Sequence, residues 1–485
     1  MRYLSTAPSA LRLFGVAIIL VLACFPQPGQ MVKQHDFKTC SQSGFCRRHR
    51  AYADLVDISP EHASPYELVP KSVKVNEKKG TVTANLVDTA KKIPFTFTIN
   101  LLEKNTARVQ LKEAKPHKPR YNEVADLTIE TLPAGVSAFN STQSDEEILV
   151  TFGEEGRNQL VLHKKPFRFE LSVNGVPAVS FNERGYLYYE HSRKKEQPPA
   201  IENQAGADGE DIVSDHEKEV KRLKDELTKD LWEESFGGKT DTKPNGPTSI
   251  GFDLKFPGSQ HVYGIPQHAS SLSLKSTRGK NKKYNEPYRL YNFDVFEYEM
   301  DNPMALYGAI PFMISHKQGL SSGVFWLNSA EMWVDVEQTA GTGTLAKLAK
   351  YIPFGTSQHT TSTSTETHWY AESGELDFFV FLGPTTKDVV DAFTTLTGRP
   401  TMPQQFALAY HQCRWNYIDQ QDVAEVDAGF DKYDIPYDVI WLDIEHTDSK
   451  KYFTWDPVKF GNSADMLQKL DVKGRKVRSV ALREA

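Results

Sequence analysis

Apolar and polar side chains alternate with a period of two residues from about residue 66 to residue 189. Phe95–Leu101 and Phe167–Val173 are clear examples. Such alternation is typical of strands with one buried and one exposed face. Asn174-Gly175 follows the second segment and is a strong signal for a two-residue hairpin turn. Short strands joined by turns predict an antiparallel β-sandwich.

A charged segment interrupts this pattern. Residues 190–246 are rich in Lys, Glu, Asp, Gly and Pro, and strand patterns resume from about residue 250 to residue 383. We therefore predict an insertion within one β-sandwich domain, residues 66–400. The insertion is expected to carry one helix, which either rests on the domain or binds a partner. Its apolar residues recur at spacings of three and four: Val220, Leu223, Leu227 and Leu231.

The pattern changes again near residue 402, where two apolar strands alternate with two helices. The predicted order is strand Phe406–Tyr410, helix Asp419–Tyr433, strand Asp438–Ile444 and helix Ser463–Leu470, the last capped by Ser463. Buried strands that alternate with helices predict the start of a parallel α/β structure. In a parallel barrel, binding residues gather where the strands end.

Polar and aromatic side chains follow both predicted strands. A sugar buried in a site needs partners for its hydroxyls, which carboxylates supply, and a Trp ring can stack on its apolar face. Asp443 and Trp415 are such candidates, together with Asp294 in an aromatic-rich loop. The residues leave alternatives open: Asp294 as a turn residue, Trp415 as core, Asp443 and Glu445 as an acid and base pair, or a metal site. The metal site would comprise Asp443, Glu445, His446 and Asp448.

The N-terminus has the features of a secretory signal peptide, predicted here as residues 1–29. Arg2 and Arg12 precede an apolar run, Leu13–Phe25, that is shorter than the roughly 20 residues of a membrane-spanning helix. An uncleaved anchor is an alternative, and Cys24 also permits a bacterial lipoprotein interpretation. The formal charge of −6 argues against nucleic acid as a partner.

Cysteine positions agree with export. Cys40 and Cys46 lie in a short polar segment that can close into a loop, and an oxidising compartment would permit a bridge in the segment 30–65. Two free thiols are the alternative. Cys413 is expected to be a buried apolar filler. Asn140-Ser141-Thr142 is an N-glycosylation acceptor in an exported protein.

Four stretches together resemble glycoside hydrolase family 31, and within it the α-glucosidases of the endoplasmic reticulum. They are Trp441–Asp448 with Tyr452–Asp456, His411–Tyr417, Tyr288–Asp294, and Phe37–Cys40 with Phe45-Cys46. The resemblance implies a galactose-mutarotase-like sandwich followed by a (β/α)8 barrel. It also implies that Cys40 pairs with Cys46.

The resemblance further implies a retaining exo-α-glucosidase that trims α-1,3-linked glucose from N-linked glycans. Such an enzyme uses no cofactor or metal and works in the endoplasmic-reticulum lumen with a non-catalytic β subunit, with no membrane segment once the signal is removed. Asp294 and Asp443 would hold hydroxyls of the terminal glucose. Trp415 and Ile444 would shape the same pocket.

The sequence departs from the family near its end. Residues 401–477 have room for the first two βα units of an incomplete barrel, since eight units need about 250 residues. The family's Trp-x-Asp-Met-Asn-Glu nucleophile segment and its acid/base region are absent from these 485 residues, and residues 478–485 are expected to diverge. We therefore expect this polypeptide to have no catalytic residues and no activity. The alternatives are a non-catalytic lumenal module that binds the β subunit or glycans, and another family 31 activity.

Overall fold

The computed structural model describes residues 34–136, 140–195, 214–295, 298–339 and 363–479. The predicted signal peptide, residues 1–29, lies outside these ranges, as do most of the predicted divergent tail and the centre of the charged insertion. The chain divides into two compact units, with the boundary between Gly398 and Arg399.

The first unit contains two antiparallel sheets. Within the described residues one sheet has nine strands in the order β1-β3-β4-β5-β21-β18-β17-β15, with β2 on β3. Their bounds are β1 Tyr66–Leu68, β2 Lys74–Asn76, β3 Thr81–Asp88, β4 Ile93–Leu102, β5 Thr106–Glu113, β15 Val262–Gly264, β17 Phe312–Lys317, β18 Leu320–Trp326 and β21 Leu376–Gly383. Strand β21 joins an early group, β1 to β5, to a late group made of β15, β17 and β18.

The second sheet has ten strands in the described part of the chain, in the order β16-β19-β20-β14-β10-β9-β8-β7-β6, with β11 on β14. Their bounds are β6 Asn140–Gln143, β7 Glu147–Phe152, β8 Asn158–Lys164, β9 Phe167–Val173, β10 Val176–Phe181, β11 Tyr188–Tyr189, β14 Ile250–Pro257, β16 Tyr288–Leu290, β19 Met332–Thr339 and β20 Ser364–Ala371. A small hairpin pairs β12 Glu233–Phe236 with β13 Lys239–Thr242.

Alternation along the strands places one apolar core in this unit. In β4 the buried side chains include Phe95, Phe97, Ile99 and Leu101, and in β9 they include Phe167, Phe169 and Leu171. Both sets belong to one continuous apolar cluster that contains residues from both sheets. The predicted β-sandwich is confirmed, and Asn174-Gly175 forms the predicted turn between β9 and β10.

Four helices of the described residues accompany the sheets: α1 Gly44–Ile58, α2 Val124–Thr128, α3 Asp215–Glu226 and α4 Thr386–Thr397. Helix α3 is the helix predicted in the charged insertion, and Ser214 caps it by accepting the N–H of Glu217. Leu223 of α3 is buried against Ala51 and Leu55 of α1. The apolar stripe therefore rests on the body of the unit.

A buried ion pair ties helix α1 to the sandwich. Arg48 has no exposed surface and donates from Nη2 to Oε2 of Glu190 at 2.9 Å and from Nε to the other oxygen. Burial pushes the pKa of Glu190 upward, but the charge and hydrogen bonds of Arg48 outweigh it and lower the pKa overall. The Ser249 hydroxyl donates to the same carboxylate, and its oxygen lies 2.9 Å from Nε2 of His49.

The second unit has three parallel strands, β22 His411–Arg414, β23 Val439–Leu442 and β24 Lys476–Ser479, in that order across the sheet. Helices α5 Gln420–Lys432 and α6 Ser463–Val472 alternate with them. This arrangement is the start of a parallel barrel, as expected. Asp419 caps α5 by accepting the N–H of Asp422, whereas Asn462 rather than Ser463 occupies the cap position of α6.

Two further predictions for this unit are wrong. Phe406–Tyr410 is not a strand, because Gln405–Leu408 forms a 3-10 turn and the strand begins at His411. Leu408 in this turn is 71% exposed, so the apolar residues of the run do not indicate a buried strand. Cys413 is exposed rather than buried, because it lies near the end of the edge strand β22.

In the part of the chain that the structure describes, no helix is both long enough and apolar enough to cross a membrane.

Candidate functional site

The candidate site of the second unit lies at the carboxyl edge of its parallel sheet. Strands β22 and β23 are in register, with Arg414 opposite Leu442. Trp415 follows the first strand and Asp443 follows the second, so the register brings these two predicted residues to the same edge. This is the edge at which parallel barrels build their sites.

Asp443 is half-buried and begins a short 3-10 turn, Ile444–His446. Its Oδ1 accepts the N–H of Ile444 at 2.6 Å. Among the described residues, Oδ2 accepts no hydrogen bond, which leaves one carboxylate oxygen for a hydroxyl donor. Ile444 is half-buried at the start of the turn, so it lies next to this carboxylate. Together they form an acceptor beside an apolar side chain.

Trp415 is 59% exposed, so it is not a core residue. Its Nε1 donates to Oε1 of Glu445 at 3.4 Å, and Nζ of Lys450 lies 3.7 Å from the same oxygen. These contacts engage the edge of the indole, and more than half of the side-chain surface is exposed. An accessible ring face is what stacking on a sugar requires.

His446 supports the Asp443 turn, and sequence reasoning assigned it no such role. The side chain is buried, and Nδ1 lies 2.6 Å from the carbonyl oxygen of Asp443, so this nitrogen carries a proton and donates. The imidazole ring packs edge-on against Trp455, with the ring centroids 5.2 Å apart. The backbone carbonyl oxygen of His446 accepts a hydrogen bond from the N–H of Asp456. The aromatic and acidic residues that recur after Asp443 were the sequence signal from which this supporting role could have been inferred.

A second set of contacts stabilises β22 and β23 from beneath the edge. Trp441 donates from Nε1 to Nδ1 of His411 at 2.7 Å, and Nε2 of His411 lies 3.1 Å from the carbonyl oxygen of Ala407. This pattern fixes the neutral His411 tautomer with its proton on Nε2. Partial burial, which is the larger cause, and the negative charge of Asp443 both raise the pKa of the Cys413 thiol.

Asp294 belongs to the first unit, in the loop that connects β16 to β17. It is exposed, and Oδ1 accepts a hydrogen bond from the Tyr307 hydroxyl at 2.8 Å. This hydrogen bond raises the pKa of Tyr307. The residue before Asp294, Phe293, donates its N–H to the carbonyl oxygen of Leu306 at 2.8 Å, which draws the two arms of the loop together.

The remaining predicted residues also lie in the first unit. Cys40 and Cys46 form a disulfide with their Cα atoms 5.3 Å apart, and both are buried. Asn140 is exposed on β6, the edge strand of the ten-stranded sheet. Within the ranges that the structure describes, no group of three or more His, Cys, Asp or Glu side chains is arranged to hold a metal ion.

Comparison with known families gives two adjacent matches. Residues 96–335 match the glycosyl hydrolase 31 N-terminal galactose mutarotase-like domain, and residues 400–482 match the glycosyl hydrolases family 31 TIM-barrel domain. The second match includes β24 and extends to residue 482.

Curated proteins and solved structures are similar to most of this chain. The chain is 40% identical over 458 residues to neutral alpha-glucosidase AB of Mus musculus, covering 93% of this chain and 46% of the relative. It is 37% identical to glucosidase 2 subunit alpha of Schizosaccharomyces pombe, covering 92% and 45%. A crystal structure of a DNJ-bound glucosidase II alpha subunit is similar with a TM-score of 0.78 and 41% identity, covering 93% and 46%. The chain thus spans about half the length of the curated relatives it matches.

Proposed function

Because the chain belongs to glycoside hydrolase family 31, we propose that it supplies the glucose-binding part of a retaining exo-α-glucosidase. The proposed reaction removes α-1,3-linked glucose from N-linked glycans. The observation that carries this proposal is the edge formed by Asp443, Ile444 and Trp415, which offers a carboxylate oxygen and an accessible indole face. A glucose ring needs both kinds of contact.

In this proposal Asp443 accepts a hydrogen bond from a sugar hydroxyl through Oδ2, while Oδ1 stays bonded to the Ile444 N–H. The indole of Trp415 stacks on the C–H face of the ring, and Glu445 holds the indole by its N–H. Asp294, which lies in the first unit, is proposed to accept a hydrogen bond from a sugar hydroxyl. None of these residues is proposed to break the glycosidic bond.

Retaining hydrolysis needs a nucleophile and a separate acid/base carboxyl. Glu445 is already engaged by Trp415 and lies near Lys450, which favours an orienting role over an acid/base role. The family's nucleophile segment does not occur in these 485 residues. We therefore propose that this polypeptide, tested by itself, binds glucose but does not hydrolyse glucosides.

Asp443→Asn tests the binding role, because Asn keeps the size and can still accept the Ile444 N–H. Loss of a hydrogen bond to a charged group, about 1.5–3 kcal/mol, predicts roughly 10- to 150-fold weaker binding of deoxynojirimycin by titration calorimetry. Asp465→Asn is the matched control, since it removes only a surface ion pair with Lys469. Unchanged affinity in Asp443→Asn would contradict the assigned role.

A glucose-release assay tests the proposed inactivity. The purified 485-residue polypeptide is incubated with a chromogenic α-glucoside, and released glucose is measured. Release that disappears in Asp443→Ala would show that the polypeptide itself is an active enzyme and would contradict the proposal.

The proposed setting is the endoplasmic-reticulum lumen, with a glucosidase II β subunit as partner in a heterodimer. A solved heterodimeric complex of ER glucosidase II, with a catalytic subunit and the binding domain of a regulatory subunit, has a TM-score of 0.78 to this chain. The buried Cys40–Cys46 bond fits an oxidising compartment, and exposed Asn140 is proposed to carry an N-glycan.

The second candidate function is a non-catalytic lumenal module that binds the β subunit or glycans. The large, self-contained sandwich core favours it, because this unit can fold without a complete barrel. Co-precipitation with a purified β subunit, combined with absence of deoxynojirimycin binding, would support this module over the glucose-binding role.

A further inference from the structure

The loop that carries Asp294 packs against the N-terminal segment, defined here as Phe37–Cys46. The rings of Phe37 and Phe293 lie with their centroids 4.9 Å apart. The N–H of Cys40 donates to Oε2 of Glu286, just before β16, at 2.7 Å. The segment therefore contacts both the loop and the strand from which the loop departs.

Arg289 lies at the centre of this contact. It is on β16, is 7% exposed, and its guanidinium carbon is 4.4 Å from the Phe293 ring centroid and 4.8 Å from that of Trp333. Nη1 donates to the carbonyl oxygen of Lys38 at 2.7 Å, and Nη2 pairs with Glu331 at 2.9 Å. One side chain thus links the N-terminal segment, the loop and the neighbouring strand β19.

The far end of the N-terminal segment is fixed as well. Cys40 is joined to Cys46 in α1, and both sulfur-bearing side chains are buried in a cluster with Phe45, Trp333 and Tyr370. Removal of the Phe37 ring should therefore loosen the loop, while burial of Cys40, Phe45 and Cys46 against Trp333 and Tyr370 keeps the segment attached.

We propose that Phe37 and Arg289 are positioning residues for Asp294. They act through Phe293, whose backbone is adjacent to Asp294 and bonded to Leu306 across the loop. A carboxylate on an exposed loop can hold a substrate hydroxyl in one place only if the loop backbone is ordered. The inference rests on the proposed glucose-binding role of Asp294, but the order of the loop can be measured separately.

The test is hydrogen exchange, read by mass spectrometry, of peptides covering residues 291–307 in the purified 485-residue chain. Phe37→Ala removes one aromatic contact and should speed exchange about two- to tenfold, the range expected for such a pair. Phe37→Tyr keeps the ring and should restore exchange to within twofold of wild type. Arg289→Lys keeps the charge but loses the planar stack and fork, so it should also speed exchange.

Phe236→Ala is the matched control. The Phe236 ring contacts Lys38 of the same N-terminal segment, with Nζ 5.6 Å from the ring centroid, and makes no ring contact with the described residues of the loop. Loop exchange should therefore stay at the wild-type rate in this variant. Equal exchange in Phe37→Ala and Phe236→Ala, or unchanged exchange in both Phe37→Ala and Arg289→Lys, overturns the proposal.

Deoxynojirimycin binding separates this proposal from the function beneath it. Weaker binding in Phe37→Ala, rescued in Phe37→Tyr, supports positioning of the substrate-binding loop. If the wild-type chain binds no deoxynojirimycin but Phe37→Ala still speeds loop exchange, the bracing of the loop is supported and the proposed glucose-binding function is rejected. Wild-type affinity in Phe37→Ala, despite faster loop exchange, overturns the positioning role.

Discussion

Breaking the buried pair between Arg48 and Glu190 should destabilise the first unit strongly. Arg48→Met removes the charge but keeps an unbranched apolar side chain in its place. The Glu190 carboxylate, only 3% exposed, would lose two hydrogen bonds from the guanidinium and remain charged in a dry environment. The hydrogen bond that Nη1 of Arg48 donates to the carbonyl oxygen of Lys229 would also be lost.

The expected cost is about 3–5 kcal/mol, the range for removing one partner of a buried ion pair. A double variant, Arg48→Met with Glu190→Met, should recover most of this loss, because neither side chain is then charged. Ser249 would keep a partner in the double variant, since Nε2 of His49 lies 2.9 Å from its hydroxyl.

Hydrogen exchange of β14 amides in increasing urea measures this free energy, because β14 is central in the ten-stranded sheet and opens only on global unfolding of the unit. A single variant within 1 kcal/mol of wild type would refute the reasoning. A double variant less stable than the single variant would refute it equally, because the penalty would then not come from the stranded charge.

Two further predictions concern the same unit. Leu223→Ala should weaken the docking of α3 on α1 by about 2–5 kcal/mol, measured as faster trypsin cleavage within α3, while Leu127→Ala at an 88% exposed site should leave cleavage unchanged. Burial raises the pKa of Asp253 to about 6, above the unfolded value of about 3.9, so its protonated form stabilises the fold at low pH. The stability of wild type relative to Asp253→Asn should therefore fall by about 2 kcal/mol between pH 4 and pH 7 in urea titrations, and a constant difference would contradict this.

The sandwich was predictable because alternation is a local property of the chain. The apolar residues that alternate along β4 and β9 face the core wherever the partner strand comes from, so Phe97 and Phe169 could be placed without knowledge of the topology. The same rule failed at Phe406–Tyr410. A continuous apolar run carries no period, and here the backbone forms a turn whose Leu408 side chain is exposed.

The residue types of the candidate site could be predicted from the sequence, but the contacts that hold those residues in place could not. Asp443 follows the apolar strand β23, and that placement is visible in the sequence, whereas Trp415 follows β22, His411–Arg414, whose residues are mostly polar. The bond from Trp415 to Glu445 spans 30 residues, and the contact between Arg48 and Glu190 spans 142. Such pairings depend on strand register and helix docking, which residue types alone do not specify.

Strand β21 has a consequence for biosynthesis. All eight of its residues are buried, and it alone connects β5 to β18 in the nine-stranded sheet. A nascent chain that has not yet extended past residue 383 therefore holds two half-sheets, each with an unpaired edge. The nine-stranded sheet is continuous only after β21 has been synthesised. We therefore expect a chain whose translation stalls before residue 383 to depend on chaperones for its solubility.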